Sequence, residues 1–505
     1  MSKGELVLGI DLGTQRLKVM LMDLGSARIV SEAGASIPTF STEPGAMEQD
    51  PLDWWELCCS LLNRLWAENS VSPEQVKAVG LSGEMHSLLL LDQKMKPVHP
   101  AILWADSRSA FYRGELQAAG VDLWNPPGAA YTALKLLWMR GKHPDEFARG
   151  RTLLFPKDYL RYKLTGMLGT DWSDASGSLV WDFRAKAWDE ALIEKLRLEA
   201  IAFPRAEDPH AVSGFVTGRA AKVTGLKEGT PVVFGLGDVA AALVGAGAAQ
   251  PDTVLINAGT AAQIIRVIDL PREAMRAGGE RSAYLFELGV DDLRFAMGAL
   301  PGAGFSLNWW RRILNEDLTY EEVDELAQAS ECGAAGCIYL PYLNGTGTPH
   351  LVDAPLGGYV GLSGFTNKAH MTRAVMEGVA FSIRQSLDTV DGRTSTIVVT
   401  GGITKSPVWT QILADVLGKP LQLREVKDAS GIGACMVAAR CLGAVDETAS
   451  SAQLLGGKDL IKEPSPENAV VYERRFADFA HWSELFAKAG AGRAASADLM
   501  DSSRA

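Results

Sequence analysis

Cysteine and histidine are scarce in this sequence of 505 residues, which contains six cysteines and seven histidines. The cysteines form no C-x-x-C pair, and the histidines are scattered without the spacing typical of a metal site. No signal peptide is recognisable at the N-terminus. The sequence therefore predicts reduced thiols, a cytoplasmic location and no histidine- or cysteine-based metal site.

Basic residues are too few to balance the acidic ones, and the formal net charge is −12. Such a chain lacks the basic surface that binds nucleic acids or anionic membranes. The longest apolar stretch, Pro231–Gly245, carries Asp238 in its middle and several glycines, which disfavours a membrane span. We therefore expect small-molecule partners, and the length is enough for two or more domains.

The common phosphate-binding signatures are missing as well. The sequence contains neither G-x-x-x-x-G-K-[ST] nor G-x-G-x-x-G, which excludes a P-loop and a Rossmann dinucleotide site. G-x-S-x-G, H-E-x-x-H and the protein-kinase H-R-D are also absent. Any phosphate binding must therefore use another arrangement of backbone and side chains.

What is present is organised around Asp238. The residues before it are β-branched and aromatic, as in a buried strand, and the residues after it are alanine-rich, as in a helix. Gly235 and Gly237 mark the turn. Asp238 stands where an N-cap would stand, so it is either a helix cap or a general base that the helix N-terminus keeps ionised. This stretch alone favours neither.

Both halves of the chain contain the same pattern, in which a predicted strand ends in a polar residue and is followed by Gly-Thr. The first copy is Leu6–Thr14, and the second is Thr253–Thr260. Two further strands end in Ser82-Gly83 and in Gly401-Gly402. The repeat predicts a duplicated domain, and two facing Gly-Thr hairpins would bind phosphates through N–H groups and threonine hydroxyls.

Other polar segments follow predicted strands. Ser82–His86 and Trp104–Arg108 are two such strand ends, which together predict a site for a small polar ligand. Thr170–Gly177 is predicted to be a polar loop. Ser406 precedes Pro407 at a predicted helix start, and Gly431–Cys441 is predicted to be a helix packed closely on a neighbour or ligand.

These motifs, in this order and spacing, resemble the FGGY carbohydrate kinases and, within them, the xylulokinases. The resemblance extends from about Leu6 to Cys441. It rests on Gly9–Thr14, Gly83–His86, Leu103–Asp106, Thr132–Trp138, Pro156–Leu160, Gly235–Asp238, Leu340–Leu343 and Gly401-Gly402.

The resemblance implies an α/β, actin-like ATPase fold in which two RNase-H-like domains flank a central cleft. Residues 1–248 would form the N-terminal FGGY domain with the sugar site and catalytic base, and residues 249–487 the C-terminal, nucleotide-binding domain. Residues 488–505, rich in Ala, Gly, Ser and Arg, are predicted to be a disordered tail. A homodimer is admitted, although the sequence does not give the oligomeric state.

The resemblance also implies ATP and Mg²⁺ as cofactors and assigns roles to single residues. Asp238 would be the catalytic base, and Asp11 would position the metal. ATP would be bound by Gly13, Thr14, Lys18, Gly259, Thr260, Gly401, Gly402 and Ser406. The sugar would be bound by Glu84, Met85, His86 and Asp106.

Four positions depart from the xylulokinase pattern. Glu84 replaces a glutamine, Ala105 and Val239 each replace an asparagine, and Asn344–Pro349 replaces a Ser-Gly-Glu-Arg-Thr-Pro loop. The predicted activity is phosphorylation of a ketopentose such as D-xylulose to its 5-phosphate. Ribulose, a heptulose or a pentitol is the alternative substrate. A non-catalytic sugar or nucleotide sensor and an actin-like chaperone or filament protein are the readings from other classes.

Overall fold

The computed structural model describes residues 4–68, 71–118, 123–271, 283–352, 354–390, 394–444 and 459–502. The strands are β1 Leu6–Leu12, β2 Arg16–Asp23, β3 Arg28–Ser36, β4 Glu48–Gln49, β5 Val76–Gly83, β6 Leu89–Leu91, β7 Ala101–Ile102, β8 Thr152–Leu154, β9 Thr170–Asp171, β10 Trp181–Asp182, β11 Ala187–Trp188, β12 Ala206–Glu207, β13 Val212–Phe215, β14 Pro231–Val233, β15 Leu236–Gly237, β16 Thr253–Ala258, β17 Ala262–Ile268, β18 Tyr284–Glu287, β19 Arg294–Leu300, β20 Ile338–Leu340, β21 Gly358–Val360, β22 Thr396–Thr400, β23 Leu421–Leu423 and β24 Leu460–Lys462.

The α-helices are α1 Pro51–Glu68, α2 Arg113–Ala118, α3 Thr132–Lys142, α4 Pro144–Arg149, α5 Pro156–Thr165, α6 Trp172–Ser176, α7 Glu190–Lys195, α8 Gly218–Thr224, α9 Asp238–Gly245, α10 Ala303–Leu314, α11 Tyr320–Gln328, α12 Lys368–Thr389, α13 Pro407–Leu417, α14 Ala429–Cys441 and α15 Pro466–Ser502.

The first domain is built on a seven-stranded sheet in the order β13-β14-β5-β1-β2-β3, with β15 beside β5. Strand β1 forms an antiparallel hairpin with β2 and pairs in parallel with β5. All seven residues of β1 are buried, because helices cover both faces of the sheet. This burial explains why the strand is a continuous apolar run interrupted only by Gly9 and Asp11.

The second domain repeats this arrangement in a seven-stranded sheet of order β18-β19-β17-β16-β22-β23-β24. Strand β16 forms a hairpin with β17 and pairs in parallel with β22. The registers correspond: Asp11 lies beside Ser82 of β5, and Asn257 lies beside Thr400 of β22. The predicted duplication is therefore confirmed.

Helix α14 belongs to the second half of the chain but packs on β1, β5 and α9 of the first domain. The approach is close: a Cβ on Gly80 would lie 1.9 Å from the carbonyl oxygen of Ala434, and one on Gly433 would lie 2.0 Å from that of Ala241. Glycine and alanine are required because backbones touch at these crossings. The prediction of a closely packed helix over Gly431–Cys441 is confirmed. The packing places the N-terminus of α14 beside Asp11.

Two helix boundaries follow from local sequence. Ser406 caps α13 by accepting a hydrogen bond from the Trp409 N–H at 3.0 Å, and Gly418 ends the helix in a left-handed conformation. Helix α15 extends to Ser502. The disordered tail over residues 488–505 stays a prediction.

Candidate active site

Asp11 lies at the C-terminal end of β1, with only 5% of its surface exposed. Its Oδ2 accepts a hydrogen bond of 2.8 Å from the Ser430 hydroxyl near the start of α14. Its Oδ1 is buried and has no hydrogen-bond partner among the residues that the structure describes. Burial raises the pKa of Asp11 above its usual value, while Ser430 and Ser82 lower it.

Asp238 is the first residue of α9, and the N-cap is Gly237. Reading Asp238 as the cap is therefore wrong by one position. Its Oδ1 instead accepts a 2.8 Å hydrogen bond from the neighbouring Val239 N–H, and part of the side chain remains open to the cleft. Gly237 is fixed by its surroundings, since a Cβ there would lie 2.6 Å from the Met85 side chain.

The N–H groups at the start of α9 favour the ionised form of Asp238, but burial and nearby carboxylates oppose them. Burial, and then the charges of Asp11 and Glu84, raise the pKa of Asp238 to about 7. The backbone N–H groups of Val239 and Met85 offset this only in part. A carboxyl group with a pKa near neutrality is well matched to general-base catalysis at physiological pH.

A fully buried cluster of charges lies behind α9. The Lys157 ammonium contacts the carboxylates of Asp158, Asp171 and Asp174 at 2.9, 2.6 and 2.8 Å. Asp171 accepts hydrogen bonds from the Ser173 N–H and hydroxyl. The segment Thr170–Gly177, predicted to be a polar loop, is therefore strand β9 followed by helix α6. The buried ammonium of Lys157 and the capping hydrogen bonds of Asp171 stabilise this structure.

This cluster contacts the start of α9 through Ser173. Its hydroxyl oxygen accepts a hydrogen bond of 2.8 Å from the N–H of Gly237, the residue that caps α9 and precedes Asp238. The sequence analysis quoted Lys157 within a motif but gave neither it nor Ser173 a role. The motif was the available signal, since a lysine beside an aspartate at a helix start is unusual in a core.

Met85 and His86 lie together beyond the end of β5. Met85 is buried, and His86 has a left-handed backbone (φ 68°) that turns its ring toward Gly177, whose carbonyl oxygen lies 2.7 Å from Nδ1. Burial lowers the pKa of His86 to about 4, so the ring is neutral. A neutral imidazole can donate or accept a hydrogen bond with a sugar hydroxyl.

Glu84 is buried, and its Oε1 accepts a 2.7 Å hydrogen bond from the Ser87 hydroxyl. Its Oε2 is buried without a hydrogen-bond partner among the described residues. Asp106 differs: its Oδ1 and Oδ2 are both bound by Arg108, and Oδ2 also by the Met47 N–H at 2.9 Å. Arg108 and Met47 thus fix the orientation of the Asp106 carboxylate, and its contact with the sugar stays a prediction.

Trp104 is a site residue that the sequence analysis did not single out. Its indole N–H donates a hydrogen bond of 2.8 Å to the Thr14 hydroxyl oxygen, and 46% of the residue is exposed. An exposed indole held beside the hairpin tip offers an apolar face to a ligand. The signal was present, because Trp104 stands in the motif that ends in Asp106.

Lys18 lies directly opposite Asp11 across the β1–β2 hairpin, so both side chains leave the same face of the sheet. Its ammonium forms an ion pair with Asp428, which immediately precedes α14. In this structure Lys18 is therefore held by a carboxylate. Its predicted contact with ATP stays a prediction, and the ion pair with Asp428 leaves other N–H donors of the ammonium for it. Gly13 leaves an open approach at the hairpin tip, where the nearest atom to an added Cβ would be 3.4 Å away.

A cavity of about 540 Å³ opens at the corresponding hairpin tip of the second domain. Its lining includes four of the predicted ATP-binding residues, Gly259, Thr260, Gly402 and Ser406. Gly401 is not part of the lining. Its φ of 90° and a Cβ position 2.6 Å from the Ala258 carbonyl oxygen show that it is needed for the turn itself. The cavity has the volume and the mixed lining expected of a nucleoside site.

Asp324 is another residue of this cavity that the sequence analysis missed. The Ser406 hydroxyl lies 2.8 Å from both of its carboxylate oxygens, so Ser406 is a helix cap and a cavity residue at once. Burial raises the pKa of Asp324 above its usual value. A carboxylate in a nucleoside cavity is suited to accept hydrogen bonds from ribose hydroxyls or a base amine.

The donor set of the first domain is compatible with a magnesium ion. Mg²⁺ prefers oxygen ligands and is usually bound through one or two carboxylates plus phosphates. Asp11 Oδ1 is an unpaired buried carboxylate oxygen, and Asp238 lies close enough for its pKa to be raised by the charge of Asp11. A cation here would relieve the repulsion among these carboxylates.

Paired hairpins, converging carboxylates and a nucleoside-sized cavity define a phosphotransferase on the actin-like ATPase fold. The chain belongs to the FGGY family of carbohydrate kinases: residues 6–245 match the N-terminal domain of that family, and residues 256–442 match its C-terminal domain. It is therefore a kinase that phosphorylates an alcohol group of a carbohydrate. The alternative readings as a sensor, chaperone or filament protein are set aside.

Relatives of known activity match along most of the chain. The xylulose kinase of Staphylococcus epidermidis is 32% identical over 479 residues, covering 94% of this chain and 95% of that protein. The L-xylulose/3-keto-L-gulonate kinase of Escherichia coli is 30% identical over 450 residues, or 85% and 87%. The crystal structure of xylulose kinase from Rhodospirillum rubrum superposes with a TM-score of 0.86 at 28% identity, covering 96% of this chain and all of that one.

Within the part of the chain that the structure describes, every helix is too short or too polar to cross a bilayer. The cytoplasmic location, the homodimer and the domain boundaries at residues 248 and 487 stay predictions.

Proposed function

We propose that this kinase transfers the γ-phosphoryl group of ATP to the 5-hydroxyl group of xylulose, giving ADP and xylulose 5-phosphate. The observation that supports the proposal is that two equivalent strand ends carry different groups. Asp11, Glu84 and Asp238 converge on the first domain, and the nucleoside cavity opens on the second. In phosphoryl transfer, the protein positions the reactants, neutralises charge on the phosphates and supplies one base.

Asp238 is the base in this proposal. Its carboxylate takes the proton of the sugar hydroxyl as the hydroxyl oxygen bonds to the γ-phosphorus, and the bond from phosphorus to the β–γ bridging oxygen breaks to release ADP. The hydrogen bond from Val239 orients the carboxylate, and Ser173 fixes the start of its helix. Gly259 and Thr260 bind phosphates from the second domain.

Asp11 would hold Mg²⁺ through its unpaired Oδ1, with Asp238 nearby. When bound, the ion neutralises negative charge on the phosphates. Ser430 keeps the other oxygen of Asp11 turned toward α14, which leaves Oδ1 as the oxygen available to the ion.

Xylulose is supported by the relatives, since the S. epidermidis protein and the R. rubrum structure both carry that substrate in their names. A second candidate is another ketose or a pentitol. It is favoured by the buried, unpaired Oε2 of Glu84 and by Val239 and Ala105, which cannot hydrogen-bond through their side chains. The E. coli relative, named for two substrates, shows that substrates differ among proteins of this similarity.

The test is a panel of D-xylulose, L-xylulose, D-ribulose, sedoheptulose and xylitol, assayed by ADP release with the phosphorylated product identified by mass spectrometry. The proposal expects a xylulose to have the highest kcat/KM. Preference for another sugar would favour the second candidate. ADP release that no sugar stimulates would contradict both.

The variant Ala105→Asn with Val239→Asn sharpens this test by restoring two amides. A net hydrogen bond is worth about 0.5–1.5 kcal/mol, so two of them should shift preference toward D-xylulose by roughly one to two orders of magnitude. Ala105→Ser with Val239→Thr is the matched control, because it adds polar atoms of shorter reach. If native kcat/KM already favours D-xylulose a hundredfold over the panel, the amides are dispensable and the second candidate fails.

A further inference from the structure

Two histidines and a glutamate meet on the first domain, away from the catalytic carboxylates. His99 lies in the segment before β7, His143 immediately precedes α4, and Glu146 lies in the first turn of that helix. The His143 Nδ1 and the His99 Nε2 lie 3.3 and 3.8 Å from the same oxygen, Glu146 Oε2. One potential ligand atom from each side chain lies within 4.8 Å of the others.

The protonation of His99 can be read from its surroundings. Its Nδ1 lies 2.9 Å from the carbonyl oxygen of Pro100, which can only accept, so Nδ1 carries the proton. In the neutral ring, Nε2 then has a lone pair. The side chain is only 9% exposed, and Nε2 points at carboxylate oxygens of Glu146 and Glu48, at 3.8 and 3.7 Å.

A lone pair facing a carboxylate oxygen is repulsive unless positive charge lies nearby. The Glu48 oxygen already pairs with the Arg108 guanidinium, so Glu146 is the carboxylate that lacks a cation. A proton on Nε2 would supply that charge, but 3.7–3.8 Å is too long for a hydrogen bond. The Glu146 Oε2 atom is itself buried without a hydrogen-bond partner among the described residues. The three groups are thus spaced for a larger cation than a proton.

The spacing corresponds to tetrahedral coordination. Zinc binds nitrogen at about 2.0–2.1 Å and carboxylate oxygen at about 2.0–2.2 Å, which places neighbouring ligand atoms roughly 3.3–3.5 Å apart. Two of the three edges, 3.3 and 3.8 Å, are close to these values. The third edge, between the two histidine nitrogens, is within 4.8 Å and would shorten if an ion bound. The hydrogen bond from His99 Nδ1 to a carbonyl is also the usual outer contact of a zinc-binding histidine.

We propose that His99 Nε2, His143 Nδ1 and Glu146 Oε2 bind one Zn²⁺ ion, with water as the fourth ligand. The side chains of His143 and Glu146 are about one-third exposed, so the cluster lies near solvent, although the Glu146 Oε2 atom itself is buried. The ion would connect the segment before β7 to the start of α4. Trp104 follows β7 closely in the chain. Sequence spacing did not indicate the site, because 44 positions separate the two histidines and only the fold brings them together.

The test uses full-length protein stripped with a chelator and titrated with Zn²⁺ or Co²⁺ in excess Mg²⁺. Magnesium occupies carboxylate sites, whereas imidazole selects zinc and cobalt. We compare the wild type with His143→Ala and Glu146→Gln. Asp145→Asn is the matched control, because this exposed acid lies on the same helix turn but outside the cluster.

The wild type and Asp145→Asn should bind one equivalent of Zn²⁺ and gain thermal stability, and their Co²⁺ complexes should show the strong visible bands of tetrahedral coordination. His143→Ala and Glu146→Gln should each lose at least tenfold in Zn²⁺ affinity and lose the tetrahedral spectrum. The proposal is overturned if all four proteins give the same isotherm, or if the Co²⁺ spectrum shows cysteine-sulfur charge-transfer bands. Because both variants change partly exposed residues, folding can be checked by circular dichroism without metal.

Discussion

The tips of the two hairpins have the same backbone but different chemistry. Asp11 in the first domain and Asn257 in the second each lie two residues before a Gly-Thr pair and beside a hydroxyl residue of a parallel strand. Asn257 has local partners: its Nδ2 donates to Gln263 Oε1, and its Oδ1 accepts from the Thr400 hydroxyl, both at 3.4 Å. Asp11 keeps one oxygen unpaired and buried.

In the proposed mechanism, this difference of one functional group separates the roles of the two domains. The charge at the first tip, beside Asp238 and Glu84, would serve a cation and proton transfer. A neutral amide at the second tip leaves the adjacent cavity free of that charge and suited to a nucleotide. The duplicated scaffold therefore supplies position, and single side chains supply function.

Removing the base should have the largest effect. Asp238→Asn keeps the shape but cannot take a proton, so kcat should fall by about 10²–10⁴-fold with the sugar KM much less changed. Steady-state kinetics on a folded variant measure this. Near-normal kcat would show that Asp238 is not the base and that the two domains are not divided as proposed.

Exchanging the two tips tests the comparison directly. Asp11→Asn should weaken Mg²⁺ activation at least tenfold, since even outer contacts of a metal are worth about 10–100-fold. The reciprocal Asn257→Asp should raise the KM for ATP, because the new carboxylate repels phosphates, and leave the sugar KM unchanged. Mg²⁺ and ATP titrations measure both. Equal effects of the two changes on Mg²⁺ activation would contradict the assigned asymmetry.

Crowding the second tip should affect ATP alone. The Cβ added by Gly259→Val meets no atom closer than 4.0 Å, so the fold should be retained while the side chain occupies the space of the phosphates. We expect the KM for ATP to rise roughly tenfold or more. Gly364→Val controls for stability, because an added Cβ there also meets no atom within 4 Å and Gly364 is not part of the cavity lining. Unchanged ATP kinetics would refute the phosphate role.

The raised pKa of Asp238 should make the catalytic rate depend on pH. With a pKa of about 7, Asp238 is protonated in acid, so kcat/KM should rise about tenfold per pH unit below pH 7 and level off above it. Raising Mg²⁺ should move the midpoint to lower pH, since a cation favours the carboxylate. Kinetics at several Mg²⁺ concentrations test this, and a pH-independent rate between pH 5.5 and 8 would exclude Asp238 as the titrating base.

The same pKa has a consequence for stability. Because the folded-state pKa lies above the unfolded value of 3.8, the folded protein holds more protons between these values, and this group lowers stability as pH rises from about 4 to 7. Asp238→Asn removes that penalty. Its melting temperature in the absence of Mg²⁺ should therefore exceed that of the wild type more at pH 8 than at pH 4.5.

The smallest effect is expected from the support of α9. Ser173→Ala removes the acceptor of the Gly237 N–H and should cost about 1–3 kcal/mol and lower kcat severalfold, with the KM for ATP unchanged. Ser178→Ala is the control, since its buried hydroxyl contacts Ala175 and Val180 instead. If both variants lose equal stability and neither loses kcat, Ser173 is only structural.

Much of the fold could be predicted because its signals are local. The hairpin of β1 and β2, the N-cap at Ser406 and the helix after Gly237 are each determined by residues within one or two turns of chain. The duplicated Gly-Thr pattern then predicted how the two domains correspond. The family and the catalytic class followed from the same motifs.

The sequence by itself thus determined the elements, their duplication and the residues at the strand ends. Only the tertiary structure decided the state of those residues, because burial and charge depend on groups distant in the chain. Asp238 has a raised pKa first because it is buried, and then because of the charges of Asp11 and Glu84, which lie more than 150 positions away in the chain. The ion pairs of Asp106 with Arg108 and of Lys18 with Asp428 were likewise decided by the tertiary structure. The electrostatic energy of a charged group depends on its neighbours in space.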